Sequence, residues 1–144
     1  MIYDLLKIIH IISASLFIGA LWGSFYFTFY FRKSLCHAYV KHIIHYDSKL
    51  SLFALLIQPI SGFAMIAIQS YNPLSHWVLG TITLYAAIGC LWLVGLFQQQ
   101  RLLHQLETAA TVQIKPYIVG RSLVLIGSVT CLFVLYYLMI HRPA

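Results

Sequence analysis

Charged side chains are scarce in this sequence, and acidic ones are the scarcest. The 144 residues include 3 Asp and Glu against 9 Lys and Arg, and charged residues make up 8% of the chain while hydrophobic residues make up 61%. A water-soluble domain carries charge on about a quarter of its residues. The scarcity excludes an ordinary soluble fold and indicates a chain whose surface faces lipid.

Other absences narrow the range of sites and reactions that the protein could support. Cys36, Cys90 and Cys131 lie too far apart for a local metal motif or a disulfide framework, and we expect them to pack as small apolar side chains. The sequence has no glycine-rich phosphate loop, no Gly-x-Ser-x-Gly elbow and no paired carboxylates. Hydrolase and kinase activities are therefore not expected.

Long apolar runs are what the sequence has instead. Four runs each approach the ~20 residues that a helix needs to cross about 30 Å of hydrocarbon. These runs lack the alternation of apolar and polar residues that is typical of a barrel strand. Each must therefore satisfy its backbone hydrogen bonds as a helix. We predict an all-α polytopic membrane protein, a four-transmembrane-helix bundle in one domain, with spans over about 5–31, 48–69, 76–98 and 118–141.

The basic residues predict an orientation. Seven of the nine Lys and Arg residues fall between spans one and two or around the connection from span three to span four, and the connection 70–76 has none. By the positive-inside rule, both termini lie outside a bacterial inner membrane. The net charge of +6 is explained by these topology determinants beside anionic lipid headgroups, so a nucleic-acid partner is not expected.

The connections predict how the spans are arranged. Asn72-Pro73 is typical of a tight turn, which makes spans two and three antiparallel neighbours. Leu102, Leu103 and Leu106 recur at helical spacing among polar residues after span three. We therefore expect span three to continue beyond the membrane as an amphipathic helix.

Polar and small residues follow one stripe on each of the first three spans. Their spacing predicts that these stripes converge, either as a tight helix interface or around a flat apolar ligand. The members are His10, Ser13, Phe17, Leu21 and Ser24 on span one, Asp47, Ser51, Ala54, Gln58, Ser61 or Gly62, Met65 and Gln69 on span two, and Trp77, Thr81, Tyr85, Gly89 and Trp92, running to Gln99, on span three.

His10 is the foremost ionisable group within a span. Three roles stay open for it: a neutral histidine bonded to a neighbouring helix, a haem ligand, or a proton-handling group. His76 and His141 are expected on the same side of the membrane, which permits a bis-histidine haem b, although both positions also suit a membrane boundary. His42 and His45 are spaced to share a metal ion if their segment is helical.

The order of these residues resembles a known family. The run Leu5-Leu6-Lys7-Ile8-Ile9-His10, the spacing from Asp47 to Gln58-Pro59, and the spacing from Trp92 to Arg101 are similar to the domain-of-unknown-function family 2269 of predicted bacterial integral membrane proteins. The resemblance extends over nearly the whole chain. It implies four spans and no established activity.

A more remote likeness is to HemJ-type protoporphyrinogen oxidases and the copper resistance protein D group. It is confined to the start Lys7-x-x-His10 and the four-helix plan. The resemblance implies that His10 is associated with haem. It also implies a lysine in the third span, and this sequence has Thr81 four residues after Trp77 instead.

Three functional hypotheses follow. The first is a membrane redox protein that binds haem b or a quinone-like ligand, with His10 as the iron ligand or proton relay and with Gln58, His76, Trp77 and Tyr85 around the ligand. The second is a noncatalytic scaffold or accessory subunit, which forms a homodimer or joins a membrane complex through Gly19 and Gly23. The third is a small transporter or copper-handling protein.

Overall fold

Four long helices make up the fold in a computed structural model that describes residues 1–30, 37–108 and 114–140. In chain order the helices are α1 (Ile2–Tyr30), α2 (His37–Ile68), α3 (His76–Thr108) and α4 (Ile114–Ile140). Each contains a stretch long and apolar enough to cross a membrane, and no strand occurs in the three described segments. The prediction of an all-α protein with four spans is confirmed.

Two of the helices extend well beyond their apolar spans. At 32 and 33 residues, α2 and α3 are longer than the roughly 20 residues that a span requires. The extension of α3 confirms the amphipathic continuation expected from its leucines. The extension of α2 was not expected, because its first turns were assigned to a connection. These turns are helical because Val40 packs with Leu102 and Tyr117 in a small hydrophobic cluster.

The helices are arranged as a ring in chain order. Each helix contacts the one before it and the one after it, and α4 returns to contact α1. Packing is closest within the pairs α1–α2 and α3–α4. The bundle therefore consists of two helical hairpins, in which α1 lies diagonally opposite α3 and α2 lies diagonally opposite α4.

Glycines explain the close approach of α3 and α4. A Cβ atom added to Gly127 would lie 3.2 Å from Leu91 Cδ1, and one added to Gly120 would lie 2.8 Å from Gln98 Nε2. Small residues let helices approach closely in lipid, where dispersion and hydrogen bonding replace the hydrophobic effect as the driving force. By contrast, a Cβ at Gly19 or Gly23 would meet no atom within 4 Å.

The turn between α2 and α3 is short, as predicted. The backbone N–H of Leu74 donates to Asn72 Oδ1 at 3.0 Å, an Asx-type contact that stabilises the reversal. Ser70 adopts a φ of 55°, in the left-handed region, as α2 ends. The two helices are antiparallel neighbours.

The buried faces agree with the predicted stripes on α1 and α2 and agree in part on α3. On α1, Ser13, Phe17, Leu21 and Ser24 are all buried. On α2, Asp47, Ser51, Ala54 and Ser61 are buried. On α3 the buried positions are Val78, Ile88, Trp92, Gly95, Gln99 and Leu102. Of the predicted α3 stripe, Trp92 and Gln99 are buried, whereas Trp77 and Tyr85, nearer the α2–α3 turn, are half-buried.

Candidate functional site

Two separate polar clusters occupy the bundle. The first, here called the histidine cluster, contains His10, Ser13, Gln58 and Ser61. The second, here called the charged network, contains Ser24, Asp47, Ser51, Gln99 and Arg121. On α1 the two clusters are separated by 14 residues from His10 to Ser24, or about 21 Å of helix.

The histidine cluster holds the imidazole of His10 through its Nδ1 atom, which lies 2.8 Å from Ser61 Oγ. Ser61 Oγ also lies 2.8 Å from the carbonyl oxygen of Ile57 and 3.1 Å from that of Gln58. When the Ser61 hydroxyl donates to one of these carbonyl oxygens, its oxygen accepts from His10 Nδ1–H, and the imidazole lone pair is then on Nε2. Nε2 has no hydrogen-bond partner among the described residues.

Gln58 holds α1 in place beside this histidine. Its amide nitrogen donates to the backbone oxygen of His10 at 2.7 Å and to Ser13 Oγ at 3.0 Å. A Cβ added to Gly62 would lie 3.6 Å from His10 Cε1, so the ring rests against bare α2 backbone. These contacts restrict both the position of α1 and the orientation of the imidazole.

The other residues predicted for the site are placed differently. The hydroxyl of Tyr85 donates to the carbonyl oxygen of Leu55, one turn along α2 from Gln58. Trp77 packs edge-on against Tyr71, with ring centroids 5.5 Å apart. His76 is exposed at the first residue of α3, nine residues before Tyr85, or about 13 Å along the helix. The structure brings His10 and Gln58 together, with Tyr85 nearby, but leaves His76 and Trp77 at the α2–α3 turn; His141 lies outside the described residues.

A buried ion pair forms the centre of the charged network. Asp47 on α2 and Arg121 on α4 are each 3% exposed, and Arg121 Nη2 lies 3.4 Å from Asp47 Oδ2. These helices are diagonally opposite, so the pair crosses the middle of the bundle. Gly95 provides the space, since a Cβ there would lie 2.5 Å from Arg121 Nη1.

Neutral side chains complete this network. Gln99 Nε2 donates to Asp47 Oδ2 at 2.8 Å and to Ser24 Oγ at 2.6 Å, which joins the second diagonal pair, α1 and α3. Arg121 Nη2 also donates to Ser24 Oγ at 2.5 Å. Ser51 donates to Asp47 Oδ1 at 3.0 Å. All four helices are therefore connected through one set of hydrogen bonds.

The two clusters differ in depth. From Asp47 to Ile68, the last residue of α2, is 21 residues, or about 32 Å of helix, close to the thickness of the hydrocarbon layer. If the α2–α3 turn lies at one boundary of that layer, the charged network lies at the other. Ser61 is seven residues from Ile68, which puts the histidine cluster about 10 Å inside the first boundary.

Sequence reasoning missed the pairing of Asp47 with Arg121. Arg121 was interpreted as a topology determinant, and Asp47 as one member of a polar stripe. A signal was nevertheless present, because Asp47, Gln99 and Arg121 each lie within a few residues of the same end of successive antiparallel spans. Residues placed in this way occupy one layer of an up-and-down bundle.

The described residues offer no ready metal site of several protein ligands. No group of three or more His, Cys, Asp or Glu side chains comes together within residues 1–30, 37–108 and 114–140. The segment that carries His42 and His45 is helical, as their metal-binding hypothesis required, and both side chains are exposed. A metal ion at this pair would need a ligand from outside the described segments or from another molecule.

The fold and these clusters define a polytopic membrane protein, a four-helix bundle with a charged network sealed in its interior. A family model described as predicted integral membrane protein (DUF2269) matches residues 4–143. The chain belongs to this family. No curated protein and no solved structure matches it.

Proposed function

We propose that the protein is a membrane redox protein that binds haem b or a quinone-like ligand at the histidine cluster, with His10 as the iron ligand or proton relay. The observation that supports this is the 2.8 Å hydrogen bond between His10 Nδ1 and Ser61 Oγ, which holds the ring and leaves Nε2 without a partner among the described residues. Histidines that bind metals usually donate their other N–H to a fixed acceptor in this way.

The tautomer of His10 would discriminate between ligands. With the proton on Nδ1, the lone pair on Nε2 can coordinate haem iron or accept a hydrogen bond from the hydroxyl of a quinol. With the proton on Nε2, the ring would instead donate to the carbonyl of an oxidised quinone. Donation from Nδ1 to Ser61 therefore supports haem b, and a quinol over a quinone.

The surrounding residues would have distinct roles in such a site. Gln58 and Ser61 would orient the imidazole, and Tyr85 would border the ligand from α3, because its hydroxyl contacts α2 six residues before Ser61. Trp77 and His76 would contact only a ligand long enough to reach the α2–α3 turn. A bound haem would supply one-electron redox chemistry.

Absorption spectra of the detergent-purified protein test this proposal directly. The oxidised and dithionite-reduced spectra should show a b-type haem in stoichiometric amount, and His10→Ala should remove it. His104→Ala is the matched control, since His104 is exposed on the extension of α3. A colourless wild-type preparation that also retains no extractable quinone, or a His10→Ala variant with its haem intact, would contradict the assignment.

Ser61→Ala separates ligation from packing. It removes the acceptor for His10 Nδ1–H and leaves the ring in place, so haem should stay bound with a changed reduction potential. An unchanged potential would show that the Ser61 contact does not act on a bound iron.

A second candidate is a scaffold or accessory subunit that assembles through α1. It is favoured by the open glycine face, where a Cβ at Gly19 or Gly23 would meet no atom of the chain within 4 Å. A face of this kind lets a second helix approach closely, in a homodimer or a membrane complex. Gly19→Leu together with Gly23→Leu should then convert a dimer to a monomer in light-scattering measurements; a wild-type monomer that copurifies with no partner would argue against this function.

We also propose a bacterial inner membrane, with both termini outside, on the basis of the basic residues at the end that carries the charged network. Cysteine labelling checks this orientation in a variant without native cysteines. Asn72→Cys in the α2–α3 turn should react with an impermeant maleimide on intact cells, and Lys49→Cys should not. The reverse pattern would invert the orientation.

A further inference from the structure

A proline interrupts the backbone hydrogen bonding of α2 beside the histidine cluster. Pro59 lies inside the helix, directly after Gln58 and two residues before Ser61. In an α-helix the N–H of residue 59 would donate to the carbonyl oxygen four residues earlier, and proline has no N–H. The carbonyl oxygen of Leu55 therefore lacks its usual donor within the helix.

Tyr85 on α3 supplies the missing hydrogen bond. Its hydroxyl donates to the carbonyl oxygen of Leu55. Leu55 is 13 residues from Ile68, or about 20 Å of helix, so this carbonyl lies inside the hydrocarbon layer if the α2–α3 turn is at its boundary. A carbonyl oxygen without a donor is costly at that depth, because no water replaces the missing partner. A bond between two helices thus takes the place of a backbone bond within α2.

Ser61 weakens the backbone hydrogen bonding of α2 in the next turn. Its hydroxyl oxygen lies 2.8 Å from the carbonyl oxygen of Ile57 and 3.1 Å from that of Gln58. A serine hydroxyl that bonds back to the preceding turn competes with the backbone N–H groups for those oxygens and tends to bend a helix. A proline inside a helix has the same tendency. Residues 55–61, here called the α2 hinge, therefore depend on contacts from other helices to hold one geometry.

His10 is bound to α2 on both sides of Pro59. Before the proline, Gln58 Nε2 donates to the backbone oxygen of His10 at 2.7 Å. After the proline, Ser61 Oγ lies 2.8 Å from Nδ1 of the imidazole. The main chain of His10 is thus fixed to one part of α2, and its ring is fixed to the other. A change in the angle between the two parts would turn the ring relative to its own backbone.

We infer that Tyr85 is a positioning residue for His10, and that it acts through the carbonyl oxygen of Leu55 by holding the α2 hinge at one angle. Among the described residues, the hydroxyl of Tyr85 bonds to this carbonyl and not to His10 itself. The role is therefore separate from any contact of the Tyr85 ring with a ligand. Its value for redox chemistry rests on the proposed function, whereas the positioning of the imidazole exists in the ligand-free protein and is tested there.

A double-mutant cycle in the ligand-free protein tests the hydrogen bond. Tyr85→Phe removes the donor to Leu55 and should raise the unfolding equilibrium constant in mixed micelles by about fivefold. Pro59→Ala provides a backbone N–H for the same carbonyl, so in that background Tyr85→Phe should change the constant by less than about twofold. Tyr136→Phe, at an exposed tyrosine of α4, is the matched control and should have no effect in either background. An equal effect of Tyr85→Phe with and without Pro59 would overturn the inference.

Nitrogen NMR of the His10 imidazole tests the positioning, because the chemical shift of Nδ1 reports its protonation and its hydrogen bond. The signal is identified by its loss in His10→Gln. Tyr85→Phe should shift it, Tyr136→Phe should not, and Tyr85→Phe added to Pro59→Ala should cause no further shift.

A His10 signal that Tyr85→Phe leaves in place would show that Tyr85 only stabilises the bundle, and would overturn the positioning role. The outcome is distinct from that of the spectra that test haem binding. If the variants behave as expected in a protein that binds neither haem b nor a quinol, the positioning of His10 stands and the proposed function fails.

Discussion

Arg121 and Asp47 lose their hydration when the bundle closes, and the protein must offset that cost. A buried ion pair is stable only when its remaining donors and acceptors are also satisfied. Gln99, Ser24 and Ser51 supply those hydrogen bonds, so the pair depends on α1 and α3 as well as on its own helices. Removing one charge leaves the other buried without a partner, which costs more than removing both.

Asp47→Asn is expected to lower the free energy of unfolding by about 3–5 kcal/mol, because Arg121 would remain charged and unpaired in the interior. Replacing both residues by apolar ones, Asp47→Leu with Arg121→Met, should recover most of that loss. Unfolding in mixed dodecyl maltoside and dodecyl sulfate micelles measures both. Lys49→Met is the control, since this exposed lysine lies two residues from Asp47; a double variant less stable than Asp47→Asn would contradict the argument.

Gly95→Ala tests whether the space at Gly95 positions the guanidinium group of Arg121. The added methyl group would lie 2.5 Å from Arg121 Nη1, so the guanidinium must move and its hydrogen bonds must lengthen, at a cost of about 1–3 kcal/mol. Gly19→Ala, which meets no atom within 4 Å, should be nearly neutral in the same unfolding measurement. In an Arg121→Met background the cost of Gly95→Ala should fall; an unchanged cost would mean that backbone packing, and not the arginine, requires the glycine.

At the scale of the helices, the extensions of α2 and α3 bury apolar side chains outside the membrane spans. Leu102 is 1% exposed and packs against Val40 and Tyr117. Along the bundle, the charged network lies between this cluster and the histidine cluster. It supports the ends of three helices where the spans alone would leave them unpacked.

Leu102→Ala should therefore destabilise the extension by about 2–5 kcal/mol, the usual cost of a cavity at a fully buried leucine. Hydrogen exchange should increase in the first turns of α2 and the last turns of α3 and leave the histidine cluster protected. Phe97→Ala, at a side chain 70% exposed on the same helix, serves as the comparison. Uniform loss of protection along all four helices would show that the extension is not an independent unit of stability.

The sequence was sufficient for the helices and for most of their buried faces, and insufficient for which helices lie opposite one another. Runs of about 20 apolar residues identify spans because lipid permits few alternatives to a helix. Periodicity located the buried faces of α1 and α2, where serines mark the core side. On α3 it located Trp92 and Gln99 and failed nearer the α2–α3 turn, since Trp77 and Tyr85 are compatible with either lipid or a neighbouring helix. The network was missed because pairing Asp47 with Arg121 requires knowing which helices lie diagonally opposite.

At the scale of the whole molecule, two hairpins are held together by contacts of different kinds. Within each hairpin the helices pack closely, whereas the contacts between hairpins are fewer. The diagonal hydrogen bonds from Gln99 to Ser24 and from Arg121 to Asp47 each join one hairpin to the other. The charged network thus acts mainly between hairpins, while glycines and apolar side chains act within them.

Separating the hairpins should expose this difference. Residues 1–72 and 73–144, coexpressed as two chains, are expected to assemble in the membrane and copurify, because each hairpin retains its close packing and the network spans the interface. Gln99→Leu should reduce copurification by breaking one diagonal and leaving Asp47 with one fewer donor, at about 1–3 kcal/mol. Gln100→Leu, at the adjacent exposed position, should have no effect. Equal recovery with both glutamine variants would mean that apolar packing alone joins the hairpins, and that the network serves some purpose other than assembly.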